Sequence, residues 1–538
     1  MAIMDVTLFL GTMPLVTLRS LVPMAIPGFE GLARDDRNIA LQNLLAESDF
    51  ESRREAIVDQ LISECAFRDV VPDVYGRFRP LVLDAVRFML MNLGKERCIR
   101  LLVEQFLLPG DVPAGKRLAE LARELPVLHK LGQMIARNEH VDAAFRTWLL
   151  GLESWTGSAS ATELPEMAAA ELARGHIGAE IAWDGKVLVE ASVGAVLPFE
   201  WVGLSGGPGR RGVAKLVKPS AASRLGEDLP ALDRLASWLA ARKDVYGDLG
   251  IDYVGVLRDV REALAAETDP RVEQRNIRTA EAQYRERRDI RIPTLFPFST
   301  PSVTAMERLD GVPLPEVDAD PTAKRWLACT TFRELIIGPM LSDREFAIVH
   351  GDPHAGNLLA VPAKDRAGWV VGLIDWSQAG LLDRKHRRGL RDLMLGFMIC
   401  DARVVKGAVH LLLSSSSPAG RLEYHLRHSI EKRPLKAGDA FEASLVLIDR
   451  LVIDGFRFPK DLLLFRKAWF TLRGVLLQLD PSFDPGPELL ATIGRRIVQD
   501  LPRRMMRGSP LGWLAHTSDP FLSDTDLLRL ALHAEYRV

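Results

Sequence analysis

Cysteine is scarce in this chain, and the few that occur form no pattern. The 538 residues contain four cysteines, which are far apart in sequence: Cys65, Cys98, Cys329 and Cys400. Because none belongs to a Cys-x-x-Cys pair, the sequence argues against a zinc ribbon and against a disulfide framework. A reducing cytoplasm is the compartment that fits this usage best.

An excess of charge of either sign is also missing. The chain has 69 Lys and Arg side chains against 71 Asp and Glu side chains, which leaves a net charge of -2. This balance provides no global surface for nucleic acid, so no nucleic-acid partner is expected. The apolar share of 47% and the charged share of 26% are typical of a folded soluble protein of several structural units.

No apolar run of the sequence predicts a membrane-spanning helix. Residues 6–29 are almost uncharged apart from Arg19, but Pro14, Pro23 and Pro27 would break a spanning helix. No basic segment precedes this stretch, as a signal peptide requires. Its Leu, Met and Phe content fits a strip docked on the body of the protein, and also a peripheral contact with a membrane surface.

The most informative feature is the run HGDPHAGN at residues 350–357, followed after a short strand by IDW at residues 374–376. In protein kinases one Asp accepts the proton of the substrate hydroxyl, an Asn five positions later binds a metal ion, and a second Asp links metal to the ATP phosphates. Asp352, Asn357 and Asp375 have this spacing. The sequence therefore predicts Asp352 as a catalytic base, Asn357 and Asp375 as metal ligands, and ATP with Mg²⁺ as cofactors.

The flanking residues predict how these side chains are presented. Residues 346–349 and 368–374 are short apolar strand signals, and Pro353 prevents a helix from starting directly after Asp352. Residues 377–380 are predicted to form a loop after Asp375. His350 and His354 are interpreted as packing and hydrogen-bonding residues of the catalytic segment, and not as metal ligands.

Apolar spacing divides the chain into a helical start, a β-rich middle and a helical end. Residues 34–125 show helical spacing, strand signals occur at 179–183, 186–189, 213–217 and 302–306, and helical patterns dominate from residue 313. These patterns predict an α+β, two-lobed protein-kinase-like fold with a small β-rich lobe, a large helical lobe and a helical N-terminal extension. The predicted domains are an extension at 1–115, a helical segment at 116–165, a small lobe at 166–312, a large lobe at 313–500 and a tail at 501–538.

A nucleotide site also needs a cation for the phosphates, and Lys215 on the predicted strand 213–217 is the candidate. Kinases pair this lysine with a helical glutamate. The run from Glu267 to Asn276 is predicted to start a helix with an acidic first turn, which the helix dipole favours. Glu273 is therefore predicted to be the ion-pair partner of Lys215.

Several ordered motifs from about residue 118 to about residue 490 resemble the UbiB/AarF/ADCK family of atypical kinases. The segment from Lys130 to Gln133 reads Lys-Leu-Gly-Gln and is similar to the family's Lys-x-Gly-Gln signature, which ordinary kinases lack. Glu267 and Asp269 look like its Glu-x-Asp signature. The resemblance implies that Lys130 and Gln133 gate the pocket together with these two carboxylates.

The resemblance also assigns the remaining nucleotide contacts. Ala191, Ser192 and Gly194 belong to a segment similar to the alanine-rich loop that replaces the usual glycine-rich phosphate loop. Glu307 and Leu309 lie in a segment that resembles the hinge strand, whose backbone would hold adenine. Residues 462–484 are similar to the family's closing helix with its Leu-Asp-Pro-x-Phe-Asp end.

The chain departs from the family pattern at several positions. Ala195 stands in place of the usual Gln, Gly351 in place of Ala, Ala355 in place of Pro, and Trp376-Ser377 in place of Phe-Gly. The His-Gly-Asp and Ile-Asp-Trp variants resemble aminoglycoside and choline phosphotransferases, which act on small hydroxyl compounds.

The expected function is that of a UbiB-like atypical kinase or ATPase. The resemblance alone implies a lipid or quinone-precursor partner and support of isoprenoid quinone or other lipid metabolism, whereas the cysteine usage predicts a cytoplasmic protein and residues 6–29 allow a peripheral membrane contact. Two rival functions are a phosphotransferase acting on a soluble small molecule and a nucleotide-binding scaffold that regulates a partner. Because all the predicted metal-binding residues are present, no sequence defect supports the scaffold.

Overall fold

The computed structural model describes most of the chain. The described residues are 13, 15–64, 73–109, 111–112, 117, 120–121, 125, 127, 163–175, 180–184, 187–190, 194–202, 209–246, 253–363, 368–414, 419–430 and 435–507. They form a helix-rich α+β protein. Contacts divide the chain into a first unit, residues 1–205, 214–270 and 300–303, and a second unit made of the rest.

Helices dominate the first unit. Their bounds are α1 Leu15–Ala25, α2 Arg34–Glu47, α3 Phe50–Glu64, α4 Arg79–Met91, α5 Lys95–Leu107, α6 Glu163–Gly175, α7 Pro219–Ala240, α8 Lys243–Tyr246 and α9 Tyr253–Glu267. Leu41 and Leu45 are buried one turn apart on α2, as the helical spacing of the sequence requires. In the described part of the chain, no helix is both long and apolar enough to cross a membrane.

The apolar stretch near the N-terminus contributes to the core of the first unit. Leu18 and Val22, one turn apart on α1, are buried in the same cluster as residues of α2, α3 and α5. Arg19 also bonds to this body, because its guanidinium donates to the carbonyl oxygens of Phe106 and Gln105. Residues 15–25 therefore pack as a docked helix.

A buried ion pair joins α5 to α7 within the same unit. Arg97 binds both carboxylate oxygens of Asp228, at 2.5 and 3.1 Å, and donates to the carbonyl oxygen of Arg224. Both side chains are almost inaccessible. Burial raises the pKa of the Asp228 carboxyl above its ordinary value, and the hydrogen bond to Arg97 opposes that shift.

The strands of the first unit surround β3. Their bounds are β1 Glu180–Trp183, β2 Val189–Glu190, β3 Gly194–Val202 and β4 Arg210–Val217. β1 and β2 both pair antiparallel with β3. A Cβ atom at Gly194 would lie 2.9 Å from the carbonyl oxygen of Leu216, so this close approach of β3 to β4 requires glycine. β4 and β6 (Val303–Glu307) each contribute residues to both units.

The second unit consists mainly of helices, and it includes all of α10 except its first residue, Pro270. Their bounds are α10 Pro270–Tyr284, α11 Pro321–Phe332, α12 Gly338–Met340, α13 Arg384–Met398, α14 Ala402–Leu412, α15 Ala419–Ser429, α16 Ala437–Ile453, α17 Lys460–Leu479 and α18 Pro485–Arg507. A single π-helical turn, Arg333–Ile337, continues α11 into α12. Leu462, Phe465, Trp469 and Leu472 form the buried stripe by which α17 joins the core.

Two small sheets of the second unit carry the loops that contain Asp352 and Asp375. β5 Ile290–Arg291, β10 Trp369–Leu373, β9 Leu358–Pro362 and β7 Val312–Pro313 form one sheet in that order, with β5 parallel to β10 and the other pairs antiparallel. β8 Phe346–His350 and β11 Ala379–Asp383 form an antiparallel pair with His350 opposite Ala379. This register places the loop after β8 beside the loop before β11.

The structure differs locally from the sequence predictions. Residues 377–380 are not all loop, because Ala379 and Gly380 already belong to β11. The strand predicted at 186–189 is observed at Val189–Glu190. Glu267 ends α9 and does not start the next helix, which begins at Pro270 with Glu273 in its first turn. Pro270 explains this boundary, since proline is favoured at the first turn of a helix.

Candidate functional site

Asp352 lies in a tightly bonded loop directly after β8. The amide of Gly351 donates to the carbonyl oxygen of Gln378 at 2.9 Å, which ties this loop to the residue preceding β11. The carbonyl oxygen of Asp352 accepts from the amide of His354 at 2.9 Å and from the side-chain amide of Asn357 at 3.0 Å. Asp352 is only 9% exposed, so it is largely shielded from water.

His350 holds the start of this loop and is neutral. Its Nδ1 accepts from the amide of Asp352 at 3.3 Å, so its Nε2 must carry the proton that is donated to the carbonyl oxygen of Ile374 at 3.0 Å. Burial lowers the pKa of His350, although the bond to Ile374 and the charges of Asp352 and Asp375 oppose this. Both ring nitrogens have protein partners, which gives the residue a bracing role between the two loops.

Asn357 connects Asp352 to the strand that carries Asp375. It ends a short 3-10 turn, Ala355–Asn357, whose start is stabilised by His354 Nδ1 accepting from the amide of Gly356. Its carbonyl oxygen accepts from the amide of Ile374 at 3.1 Å. Because its side-chain nitrogen is bonded to Asp352, the amide oxygen is the atom that Asn357 can offer to a cation.

Asp375 follows β10 in an unusual backbone conformation. Its φ of 56° lies in the left-handed region, which Asp tolerates better than most residues. Its Oδ1 accepts from the hydroxyl of Ser377 at 2.6 Å and from the amide of Ser377 at 3.2 Å. Serine at 377, where the family commonly has glycine, thus adds a hydrogen bond that orients this carboxylate.

Trp376, where the resembled family commonly has phenylalanine, is fully buried. Its indole nitrogen donates to the carbonyl oxygen of Leu373 at 3.2 Å, which satisfies the one polar atom of the side chain. The ring packs edge-on against His350 at 4.7 Å between centroids. The carbonyl oxygen of Trp376 accepts from the side chain of Asn276 on α10 at 2.8 Å, so α10 also supports the Asp375 loop.

Lys467 is a member of this site that sequence reasoning missed. Its ammonium group lies 3.4 Å from Asp352 Oδ1 and donates to Gln378 Oε1 at 2.8 Å. The residue lies on α17, more than a hundred positions after Asp352 in the sequence. No local motif links the two; the one available signal is that Asp461, Leu464 and Lys467 recur at three-residue spacing on one helix face.

The predicted hinge residues lie at the end of β6 and just after it. The carboxylate of Glu307 accepts from Arg291, and its backbone amide donates to the carbonyl oxygen of Thr294 at 2.8 Å. Leu309 packs against the apolar side chains of β9 and β10. Both residues belong to the second unit, as do Asp352, Asn357 and Asp375.

The other predicted residues lie in both units or outside the described residues. Gly194 begins β3 and Lys215 lies in β4, both in the first unit, whereas Glu273 is buried on α10 in the second unit. The pairing of Lys215 with Glu273 therefore stays a prediction. Glu267 ends α9, and the amide of Asp269 donates to the carbonyl oxygen of Ala266. Four residues for which roles are predicted lie outside the described residues: Lys130, Gln133, Ala191 and Ser192.

The oxygen atoms that the site offers fit a magnesium ion that is bound together with a nucleotide. Asp375 and Asn357 provide oxygen atoms, the ligand type that Mg²⁺ prefers. Within the described ranges, no group of three or more His, Cys, Asp or Glu residues is placed to hold a metal ion by itself. Since Mg²⁺ is usually bound through one or two carboxylates plus phosphate oxygens and water, this sparse set is the expected one.

Several proteins to which this chain is similar are described as kinases or kinase-like. Residues 204–409 match the family model described as the ABC1 atypical kinase-like domain. A Probable protein kinase UbiB of Actinobacillus pleuropneumoniae is 26% identical over 309 residues, covering 55% of this chain and 54% of the relative. A Probable protein kinase UbiB of Pectobacterium carotovorum is 24% identical over 406 residues, covering 70% of each chain.

A plant relative matches over a shorter region. The Arabidopsis thaliana Protein ACTIVITY OF BC1 COMPLEX KINASE 1, chloroplastic, is 22% identical over 276 residues, covering 47% of this chain and 37% of that protein. The chain spans about half the length of the first curated relatives that it matches. The ABC1 match, residues 204–409, includes the loops of Asp352 and Asp375.

Proposed function

We propose that this chain, whose residues 204–409 match the ABC1 atypical kinase-like domain and which is similar to UbiB proteins, acts as a UbiB-like atypical kinase that binds Mg-ATP and transfers or hydrolyses the γ-phosphoryl group. One observation carries the proposal. Two hydrogen bonds link the three residues in sequence, since Asn357 binds the carbonyl oxygen of Asp352 and the amide of Ile374, next to Asp375, binds the carbonyl oxygen of Asn357. Base and metal ligands thus form one rigid assembly.

Asp352 acts as the base of this reaction. Its carboxylate takes the proton of an acceptor hydroxyl, from water or an alcohol, as the acceptor oxygen bonds to the γ-phosphorus. The bond between that phosphorus and the bridging oxygen of the β-phosphate breaks, and ADP leaves. Asn357 and Asp375 would hold magnesium, which offsets the negative charge of the phosphates when bound.

The remaining predicted residues have roles in nucleotide binding. Lys215 would bind the phosphates and Glu273 would orient it, Ala191, Ser192 and Gly194 would contact the phosphates, and the backbone from Glu307 to Leu309 would hold adenine. A side chain at Gly194 would collide with the carbonyl oxygen of Leu216, so this position needs glycine for packing. The remaining contacts follow from the family resemblance.

The test is to separate the role of Asp375 from that of Asp352. Asp375→Asn removes the carboxylate charge that holds the metal, so Mg²⁺-dependent ATP affinity should fall at least about tenfold. Asp352→Asn should leave ATP affinity within about twofold of wild type while kcat falls by about two to four orders of magnitude. Titration calorimetry with and without EDTA measures the affinity, and phosphate release measures turnover.

An exposed carboxylate on the same unit provides the matched control. Asp318→Asn removes one negative charge outside the site and should change neither quantity. Equal losses of affinity in Asp352→Asn and Asp375→Asn would contradict the assigned roles. Binding of Mg-ATP by the wild type with no turnover of any acceptor would instead favour the nucleotide-binding regulatory scaffold.

We also propose that the reaction serves a lipid or isoprenoid quinone precursor at a membrane surface, as the family resemblance implies. The rival is a soluble small-molecule phosphotransferase, which is supported by the His-Gly-Asp and Asp-Trp variants at His350 and Trp376, where both rings pack together in the core of the site. Phosphate release should rise with phospholipid vesicles or phenolic quinone precursors. A rise with aminoglycosides or choline alone would favour the rival.

A further inference from the structure

The helix α17 presents one face to the loops of the proposed catalytic site. Asp461 Oδ1 accepts from the amide of Leu381 at 3.1 Å, and Leu464 Cδ2 lies 3.3 Å from the position of a Cβ at Gly351. Lys467, one helical turn further, reaches Asp352 and Gln378. Because three residues at three-residue spacing along α17 contact the pair β8 and β11 or its loops, the backbone at Lys467 is held in place by the fold.

Two of the groups that contact the Lys467 ammonium differ in charge. Gln378 Oε1 is a neutral acceptor at 2.8 Å that orients the ammonium group without cancelling its charge. Asp352 is the charged partner, at a longer 3.4 Å. A lysine with three donors can keep the bond to Gln378 and still offer a donor to a third group.

The reaction itself brings such a group to this position. An acceptor hydroxyl bound to Asp352 lies about 3 Å from its carboxylate, and the phosphorus that it attacks lies about 3 to 3.5 Å from the hydroxyl oxygen. The equatorial oxygens of the transferring phosphoryl group carry negative charge. A cation 3.4 Å from the same carboxylate is therefore within reach of these oxygens.

We propose that Lys467 is a phosphate-contacting residue of this site, supplied by α17, that binds the γ-phosphoryl oxygens of ATP while Gln378 orients it. This inference rests on the proposed function. It distinguishes Lys467 from a lysine that only pairs with Asp352, because a contact with the γ-phosphoryl group must favour a nucleoside triphosphate over the diphosphate.

The experiment compares the affinities of the full-length chain for ADP and for the non-hydrolysable β,γ-imido analogue of ATP, in Mg²⁺ buffer, by titration calorimetry. Lys467→Met should weaken binding of the triphosphate analogue by about 10- to 100-fold, the loss of one charge-assisted hydrogen bond, and change ADP binding by less than about twofold. Lys467→Arg should recover most of the loss, because it retains a donor and the charge.

The matched control is Lys460→Met, which removes the same charge from an exposed position two turns earlier on α17 and should leave both affinities unchanged. A Lys467→Met protein that still prefers the triphosphate analogue as strongly as wild type overturns the inference and leaves the proposed function intact. Wild-type protein that binds neither nucleotide overturns both. Equal loss of both nucleotides in Lys467→Met and Lys467→Arg would show a structural role only, which also overturns the inference.

Discussion

Replacing Gly351 by alanine should disturb the catalytic loop, although alanine is the family's usual residue at this position. In this chain a Cβ at residue 351 would lie 3.0 Å from the carbonyl oxygen of Gln378 and 3.3 Å from Leu464 Cδ2. That carbonyl oxygen also accepts the hydrogen bond from the amide of Gly351. The added methyl group would therefore displace the carbonyl oxygen of Gln378, which accepts the hydrogen bond that ties the loop to the residue before β11.

The size of the effect follows from the geometry. Ordinary contacts of a Cβ begin at 3.4 Å, so the backbone at Gln378 would have to yield by about 0.4 Å. Overpacking of this kind costs about 1 to 3 kcal/mol. Since a misplacement of 1 Å can cost about 100-fold in rate, a shift of a few tenths of an ångström at Asp352 should lower kcat by about 3- to 10-fold.

Two measurements check this prediction. Phosphate release gives kcat, and hydrogen exchange of the amides of β8 and β11 should accelerate by about 5- to 150-fold in Gly351→Ala. Gly474→Ala on α17 is the control, because its Cβ meets nothing within 4 Å and alanine should slightly stabilise the helix. Adding Leu464→Ala to Gly351→Ala should restore little, since the nearest obstacle is backbone. Wild-type kcat together with unchanged exchange in Gly351→Ala would refute the reasoning.

Two further predictions concern charge. Burial lowers the pKa of folded His350 below the value of about 6.5 of the unfolded chain, so the unfolded state binds the proton more readily and stability is lost as pH falls below about 6.5. The melting temperature of His350→Gln should therefore fall less between pH 7 and pH 5 than that of wild type, and parallel curves would contradict it. Lys130→Ala should open the gate that the family resemblance assigns to Lys130, Gln133, Glu267 and Asp269, and so change ATP affinity and autophosphorylation; identical behaviour in both assays would mean that no such gate acts.

The sequence predicted the parts of the site whose residues are close in the chain. The structure links the loops of Asp352, Asn357 and Asp375 by hydrogen bonds, and the sequence could place them near one another because a loop, a short strand and a second loop set their spacing; their roles stay predictions. Lys467 was missed because its approach to Asp352 depends on how α17 packs, and a lone lysine on a helix resembles any solvated charge. β11 was missed because Ser377 and Gly380 are typical of turns, whereas pairing with β8 decides the strand.

Boundaries were harder to predict than elements. The helix expected to begin near Glu267 begins at Pro270, since α9 uses the preceding residues. β5 and β7 have two residues each and depend on partners that lie far away in sequence. The resemblance to a family provided roles for Glu307 and Leu309 that no local pattern could assign.

The left-handed backbone at Asp375 limits how this position can be studied by substitution. Alanine or leucine there would combine the loss of the proposed metal ligand with a backbone penalty of about 1 to 2 kcal/mol, so a failed variant would not reveal which of the two mattered. Asparagine shares the tolerance of aspartate for this conformation and differs mainly in charge. A mutational scan of this chain should therefore rank Asp375→Asn, and not alanine, as the measure of what the carboxylate contributes.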